Sequence, residues 1–411
     1  MEEFYRNKTI LVTGCTGFLG SMLVEKFLRI FPDLSKLYLL ARKKGPMSFN
    51  ERSKEYFEDP IFERMISVNP NYYERVQWIE GDLTMPQLNL SNDDLQAMKT
   101  VDIIIHIGAS INMQNPLHEM IKNNLLGTSE LLKISLDNKN IKCFMYVSSA
   151  FSNARRSCSR IEEKIYDPVL KPETLLDIYN SLTNEELNEI ENTLMQDWPN
   201  SYTFSKNVTE YHCDTFNDQM SVGIFRPGNI TSSISEPFPY WVKSKAGLVG
   251  AIMLLGSKTL PSYYIKNSAI SHAVPVDMTA NALITCTYDV VKNKSKDSKI
   301  YNYTSNNNPI TYYDAYMIGD GIQLTMEEFN KNKTIFVTGC TGFLGYMLVE
   351  KLLRNTSKGL TDDELDKIEC TLMQDWPNSY TFTKNANEYH CDTFKDQFSI
   401  GIFRPGISEP T

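Results

Sequence analysis

Apolar positions follow two rhythms along the first half of this chain. Short β-branched and apolar runs stand at Thr9–Thr13, Lys36–Ala41, Val76–Glu80, Asp102–Ile107 and Cys143–Val147. They have the length and composition of buried parallel strands. Between and after them the spacing turns helical. Ser21 to Ile30 carries apolar residues three and four apart, and Glu173 to Trp198 reads as helices with Thr183-Asn-Glu-Glu as a capped start. Alternating strands and helices predict an α/β fold, a Rossmann-type doubly wound parallel sheet with a small helical and loop region for substrate. The best membrane candidate, Ala246 to Gly256, is an uncharged run flanked by Lys245 and Lys258. A spanning helix takes ~20 residues, so this run predicts a buried or acyl-contacting helix and no transmembrane span.

The pattern then starts again. Met1 to Arg29 recurs at Met326 to Arg354 with 24 of 29 positions identical, and Leu194 to Gly228 recurs at Leu372 to Gly406 with 29 of 35 identical. Some 164 residues separate the two blocks in the first copy and 17 in the second. The expected organisation is a complete domain over residues 1–325 followed by an incomplete repeat of the same domain over 326–411. The second copy keeps Gly339, Gly342, Gly345, Tyr380 and Lys384 but has lost the counterparts of the second to fifth strands. With no sheet to bury its first strand and helix, it is expected not to bind a cofactor by itself.

Composition narrows the class. The chain has 411 residues, a formal charge of -9, 42% hydrophobic and 22% charged residues. That balance belongs to a globular protein, and the acidic charge without a basic run argues against a nucleic-acid partner. Eight cysteines are scattered with no CxxC and no zinc spacing, which predicts reduced thiols and no metal. The acidic, then mixed start MEEFYRNK gives no expectation of a signal peptide.

The first strand runs straight into Gly14-Cys-Thr-Gly17-Phe-Leu-Gly20 and then a helix. Gly14 allows the tight turn, Gly17 lets a pyrophosphate approach the backbone, and Gly20 lets helix and strand pack closely. Thr16, Phe18 and Leu19 complete a loop whose unpaired N–H groups and helix dipole favour an anion. The second strand ends in Arg42-Lys43-Lys44, and a cation such as Arg42 suits the 2′-phosphate of NADPH where an acid would suit NAD. Asp82, with Leu83 beside it, ends the third strand where the adenine is expected. Asn124 is read as holding backbone geometry near the cofactor, and His106 as a structural residue. Arg226 and Pro227 are expected on the carboxamide side of the nicotinamide.

Tyr202-Thr-Phe-Ser-Lys206 is a YxxxK pair, which a helix brings to one face. An ammonium beside a phenol lowers its pKa, and the phenol can deliver a proton while hydride arrives from a nicotinamide. The strand ending at Val147 leads into Ser148-Ser149, and Ser149 is the expected partner at the carbonyl oxygen.

These residues, with the longer motifs TGCTGFLG, LLARKK, GDLT, VSSAFSN, EEKIYDP, NSYTFSKNVTEYH, FRPGNI, SEPFPYW, VPVDMTANALI and IYNYTSNNNPIT, resemble one family over about residues 4 to 312. It is the fatty acyl-CoA reductases, extended short-chain dehydrogenases with the male-sterility-type NAD-binding domain. The resemblance implies NADPH-dependent reduction of a long-chain acyl-CoA, through a bound aldehyde, to a primary alcohol. Tyr202 and Lys206 then form the active pair, Ser149 their partner, and Gly14, Gly17 and Gly20 the phosphate loop. It also implies an intracellular site, on the cytoplasmic face of the endoplasmic reticulum or a peroxisome with peripheral membrane association, or otherwise the cytosol. Full members continue into a second helical domain, whose place the partial repeat takes here. Tyr240 stands where the family usually has glycine, in a loop where it could narrow the pocket, and Gly108 where it usually has alanine. A sugar or steroid dehydrogenase shares the loop and the pair, but the helical insertion and the aromatic Glu236–Trp241 loop favour a large acyl substrate. A cofactor-binding pseudoenzyme is the remaining alternative, against which the retained Tyr202, Lys206 and Ser149 weigh.

Overall fold

The computed structural model describes residues 1–43, 45, 47–154, 160–244, 247–256, 268–306, 309–312 and 314. They fall in two units, the first drawn from Met1–Val249 with Ser271–Ile310 and the second including 250–256, 268–270, 311–312 and 314. The expected boundary at residue 325 and the whole partial repeat lie outside the described residues.

The first unit is built on β1 (Thr9–Thr13), β2 (Lys36–Ala41), β3 (Val76–Glu80), β4 (Ile103–His106), β5 (Cys143–Val147), β6 (Val222–Pro227), β7 (Asn229–Thr231), β8 (Ala273–Pro275) and β9 (Lys299–Tyr303). Seven of them form one parallel sheet in the order β3-β2-β1-β4-β5-β6-β9, and β7 and β8 make a separate parallel pair. β1, β2, β3 and β5 have the predicted bounds, and β4 is a residue shorter at each end. The remaining four strands were not predicted as strands.

Both faces of the sheet are covered, as the uninterrupted apolar runs require. From β1, Ile10 and Val12 pack on one side with Met22, Leu23 and Phe27 of the helix Phe18–Ile30. Leu11 points to the other, against Leu131 and Leu132 of the helix Gly127–Leu136. The predicted insertion folds as the helices Pro172–Ser181 and Asn184–Met195. The capped start at Thr183 is present, with Glu186 N donating to Thr183 Oγ1 at 3.2 Å and Thr183 N to Glu186 Oε2 at 2.8 Å. Leu175, Leu187 and Trp198 bury themselves with Phe204 and Val208 of the helix Ser201–Asp214. Insertion and Tyr202-bearing helix thus share one core.

Strand order reverses between β1 and β4, and in such sheets ligands bind outside the carboxyl ends at that switch point. The glycine loop, Arg42, Asp82 and Ser149 follow the C-terminal ends of β1, β2, β3 and β5 in turn.

In the second unit, an isolated antiparallel bridge joins Ile270 to Thr311, and Tyr312 N donates to Ala269 O at 2.9 Å. Among the described residues, no helix is long and apolar enough to cross a membrane.

Candidate active site

The phosphate loop leaves β1 in a conformation only glycine adopts readily. Gly14 has φ +65°, and a Cβ there would lie 2.7 Å from Gly108 N at the end of β4. A Cβ on Gly20 would lie 2.1 Å from Gly14 O, so any side chain there would push the helix off the loop. Gly17 caps that helix and is exposed, Thr16 and Phe18 are half-buried, and Leu19 is buried beneath. The helix N-terminus therefore opens to solvent as an anion cradle. Tyr56 braces it from below, its hydroxyl donating to Cys15 O at 2.9 Å.

Arg42 is exposed at the end of β2 and makes no hydrogen bond or ion pair among the described residues, and Lys43 is exposed beside it. A second cation, not foreseen from the sequence, stands nearby. Arg52 is half-buried, its Nη1 is enclosed without a partner among the described residues, and its charge reaches the Cys15 thiol in the loop. Burial nevertheless pushes that thiol up to about 12. An enclosed guanidinium N–H without an acceptor is costly unless a ligand supplies one.

Asp82 sits beyond β3 with Oδ1 accepting from Thr84 N and Thr84 Oγ1, both at 2.9 Å. Leu83 lines the same edge so tightly that a Cβ on Gly127 would lie 2.7 Å from its carbonyl oxygen. Asn124 lies in a π-helical turn, Ile121–Leu126, a form that often marks functional positions. Its Oδ1 accepts from Ser110 N at 2.8 Å and its Nδ2 donates to Ser110 O at 3.1 Å, fixing the backbone beyond β4.

The helix Ser201–Asp214 begins at Asn200, whose side chain accepts from Thr203 N at 2.9 Å. One turn in, Lys206 is buried and its Nζ donates to Val147 O, the last carbonyl of β5, at 2.9 Å. Its Nζ also lies 4.7 Å from the centre of the Tyr146 ring. Burial lowers the Lys206 ammonium to about 8. Tyr202 is 8% exposed, and Ser149 lies close enough to its hydroxyl to favour the phenolate. The three residues therefore meet at the end of β5.

The phenol departs from expectation. Burial raises Tyr202 to about 12, the nearby Ser149 offsets this only in part, and Lys206 is not among the groups acting on it. Desolvation of the phenolate outweighs the ammonium one turn away, which is spent on a backbone carbonyl.

Arg226 also corrects the sequence reading. It is fully buried, with Nε and Nη2 on the Glu210 carboxylate at 2.9 and 2.7 Å. Nη1 donates to Glu162 O at 3.0 Å and Asn302 Oδ1 at 3.4 Å, and Nη2 to Lys164 O at 2.9 Å. All five donors of the guanidinium are taken by protein, so none is left for a nicotinamide. Pro227 offers its carbonyl to Ala150 N at 2.9 Å and so steadies the turn that carries Ser149.

The aromatic loop divides in two. Trp241 is core, 5.2 Å from Phe18 by ring centres, and its Nε1 donates to Asp59 Oδ1 at 3.3 Å. Tyr240 has φ +65° and is 78% exposed, so it points to solvent from a position that favours glycine. Buried Asp277, which the sequence reading left without a role, shapes this loop by accepting from Ile234 N, Ser235 N and Glu236 N at 3.0 to 3.1 Å.

A family model described as male sterility protein matches residues 12–283 and 355–409. Fatty acyl-CoA reductase wat of Drosophila melanogaster is 33% identical over 319 residues, covering 77% of this chain and 61% of that protein. Fatty acyl-CoA reductase 1 of Homo sapiens is 31% identical over 306 residues, covering 74% and 59%. The chain thus spans about three-fifths of the length of these relatives. Among solved structures, a thiolation-reductase di-domain from an archaeal non-ribosomal peptide synthetase aligns with a TM-score of 0.55 at 19% identity, over 95% of this chain and 76% of that one. That likeness concerns the fold.

Proposed function

This chain belongs to the male sterility protein family, and from that premise we propose that it reduces long-chain fatty acyl-CoA to primary alcohol with NADPH. The observation that carries the reading is the meeting of Tyr202, Lys206 and Ser149 at the end of β5, on the same sheet edge as the Gly14–Gly20 cradle.

The residues fit a phosphorylated dinucleotide on physical grounds. Gly14 and Gly20 tolerate no Cβ, the Gly17 helix end is open, and among the described residues Arg42 has no partner and Arg52 has an enclosed donor without an acceptor. In the proposal the loop from Gly14 to Gly20, with Thr16, Phe18 and Leu19, holds the pyrophosphate. Arg42 and Arg52 hold the 2′-phosphate, and Asp82, Leu83 and Asn124 border the adenosine and the strand edge. NADPH bound there supplies hydride to the substrate carbonyl.

Chemistry proceeds in two reductions. In the first, the thioester carbon gains hydride and its C–S bond breaks, releasing coenzyme A and an aldehyde. In the second, the aldehyde carbon gains hydride and its oxygen takes a proton from Tyr202, giving the alcohol. Ser149 donates to the carbonyl oxygen in both, and the Lys206 ammonium, held on Val147 O, keeps a positive charge at the end of β5 as the proton leaves. A Tyr202 held near 12 stays protonated at neutral pH, which suits an acid. The partial repeat, lacking the strands that bury such a loop, contributes no second site in this proposal.

Tyr202→Phe tests the assignment. Turnover is expected to fall at least about a hundredfold while NADPH affinity stays within about twofold. Retained turnover removes tyrosine from the mechanism.

A further inference from the structure

A run of buried hydrogen bonds links the two halves of the site. Thr13 is the last residue of β1, directly before Gly14, and its Oγ1 accepts from Gly108 N at 3.0 Å. The same oxygen lies 2.6 Å from His106 Nδ1. On the far side of the ring, His106 Nε2 lies 2.9 Å from Thr128 Oγ1, which donates to Asn124 O at 2.5 Å. Asn124 Nδ2 donates to Ser205 Oγ at 3.0 Å, and Ser205 Oγ donates to Tyr202 O at 2.8 Å. Thr13, His106, Thr128, Asn124 and Ser205 are each at most 1% exposed.

The direction of every bond is determined. A carbonyl only accepts, so the one hydrogen of Thr128 goes to Asn124 O and that of Ser205 to Tyr202 O. Toward the ring Thr128 can therefore only accept, which puts the imidazole hydrogen on Nε2. Nδ1 is then the acceptor, and Thr13 gives it its hydroxyl hydrogen while taking Gly108 N–H on its oxygen. The Asn124 amide is oriented too, because a flip would oppose its bonds to both Ser110 N and Ser110 O. No buried donor or acceptor along this path is left over.

We infer that His106, as the neutral Nε2–H tautomer, is a positioning residue: it ties the strand bearing the phosphate loop to the first turn of the helix bearing Tyr202. It touches neither cofactor nor substrate. Its effect rests on the reductase reading above, because the distance it maintains is that between the dinucleotide cradle and the proton donor. Small misplacements of reacting groups cost rate out of proportion to binding. Burial, followed by the Lys206 charge, holds His106 far below its ordinary pKa, at about 3, consistent with a ring that never charges.

A double-mutant cycle between the two ends tests the link. Thr13→Val and Ser205→Ala are each expected to lower kcat about tenfold, with KM and NADPH affinity within about threefold. If the path acts as a unit, the double variant is no worse than about the poorer single one, and Thr13→Ser restores most of the rate. Losses that multiply to about a hundredfold overturn the inference. A second measurement stands whether or not the protein reduces acyl-CoA. In protein labelled with 15N-histidine, with His106→Gln assigning the signal, the ring is expected as a single neutral Nε2–H form at neutral pH. Thr128→Val is expected to mix its tautomers. An Nδ1–H or charged ring in the parent protein overturns the inference, and absent turnover with the expected ring signal indicts the reductase reading alone.

Discussion

Lys206 and Tyr202 share a helix face, yet burial governs both more than either governs the other. The lysine is lowered to about 8 and the tyrosine raised to about 12. Lys206 therefore loses its charge just above neutrality, and kcat/KM, which reports groups of the free enzyme, is expected to fall as pH rises through about 8. Stability runs the other way. A lysine with a folded pKa below its ordinary 10.5 contributes stability fully present above that value and lost as pH falls through about 8. Thermal unfolding against pH is expected to show a gain on the alkaline side where activity declines. A flat kcat/KM beyond pH 9 contradicts this role for Lys206. The cations at the phosphate end separate similarly: Arg42→Ala and Arg52→Ala are each expected to weaken NADPH about tenfold or more and NADH little, read by fluorescence titration. Equal losses for both cofactors remove the 2′-phosphate role. Glycines and the YxxxK pair were legible because backbone sterics and helix geometry act locally. Arg52 was not, since only the folded chain returns it to Cys15 and leaves one of its donors unpaired.

Elements were legible where an apolar run or a local hydrogen-bond motif marks them. β1, β2 and β5 are buried almost throughout and read directly as apolar runs, and the Thr183 capping box marked a helix start by local hydrogen bonding alone. β9 is half-buried except at Ile300 and β7 is half-buried throughout, so neither announces itself. β6 contains Arg226, whose charge reads as a ligand until Glu210 is seen to enclose it. That pair belongs to the architecture: it joins β6 to the Tyr202 helix and holds the carbonyls of Glu162 and Lys164. Arg226→Met leaves the Glu210 charge buried alone and is expected to cost about 3–5 kcal/mol of stability by denaturant unfolding. The folded fraction is expected to bind NADPH with unchanged affinity. Intact stability with lost NADPH binding restores Arg226 as a ligand.

At the scale of the molecule, the doubly wound order puts the phosphate loop, the turn after β4 and the Ser149 turn along one sheet edge. The insertion and the Tyr202 helix bury a common core, and Asp277 pins the loop that leads to Trp241, which packs on Phe18 of the helix Phe18–Ile30. The repeat is legible in the sequence alone, because identity over whole blocks needs no folding to be read. The arrangement of β6 to β9 could not be read that way, being set by pairings between residues dozens of positions apart. The central claim is the reaction itself. Its most direct test is full-length protein incubated with NADPH and C14 to C24 acyl-CoAs, with products identified by mass spectrometry. Primary fatty alcohol, free coenzyme A and two NADPH oxidised per alcohol formed are the expected products. NADPH bound without any aldehyde or alcohol produced contradicts that claim.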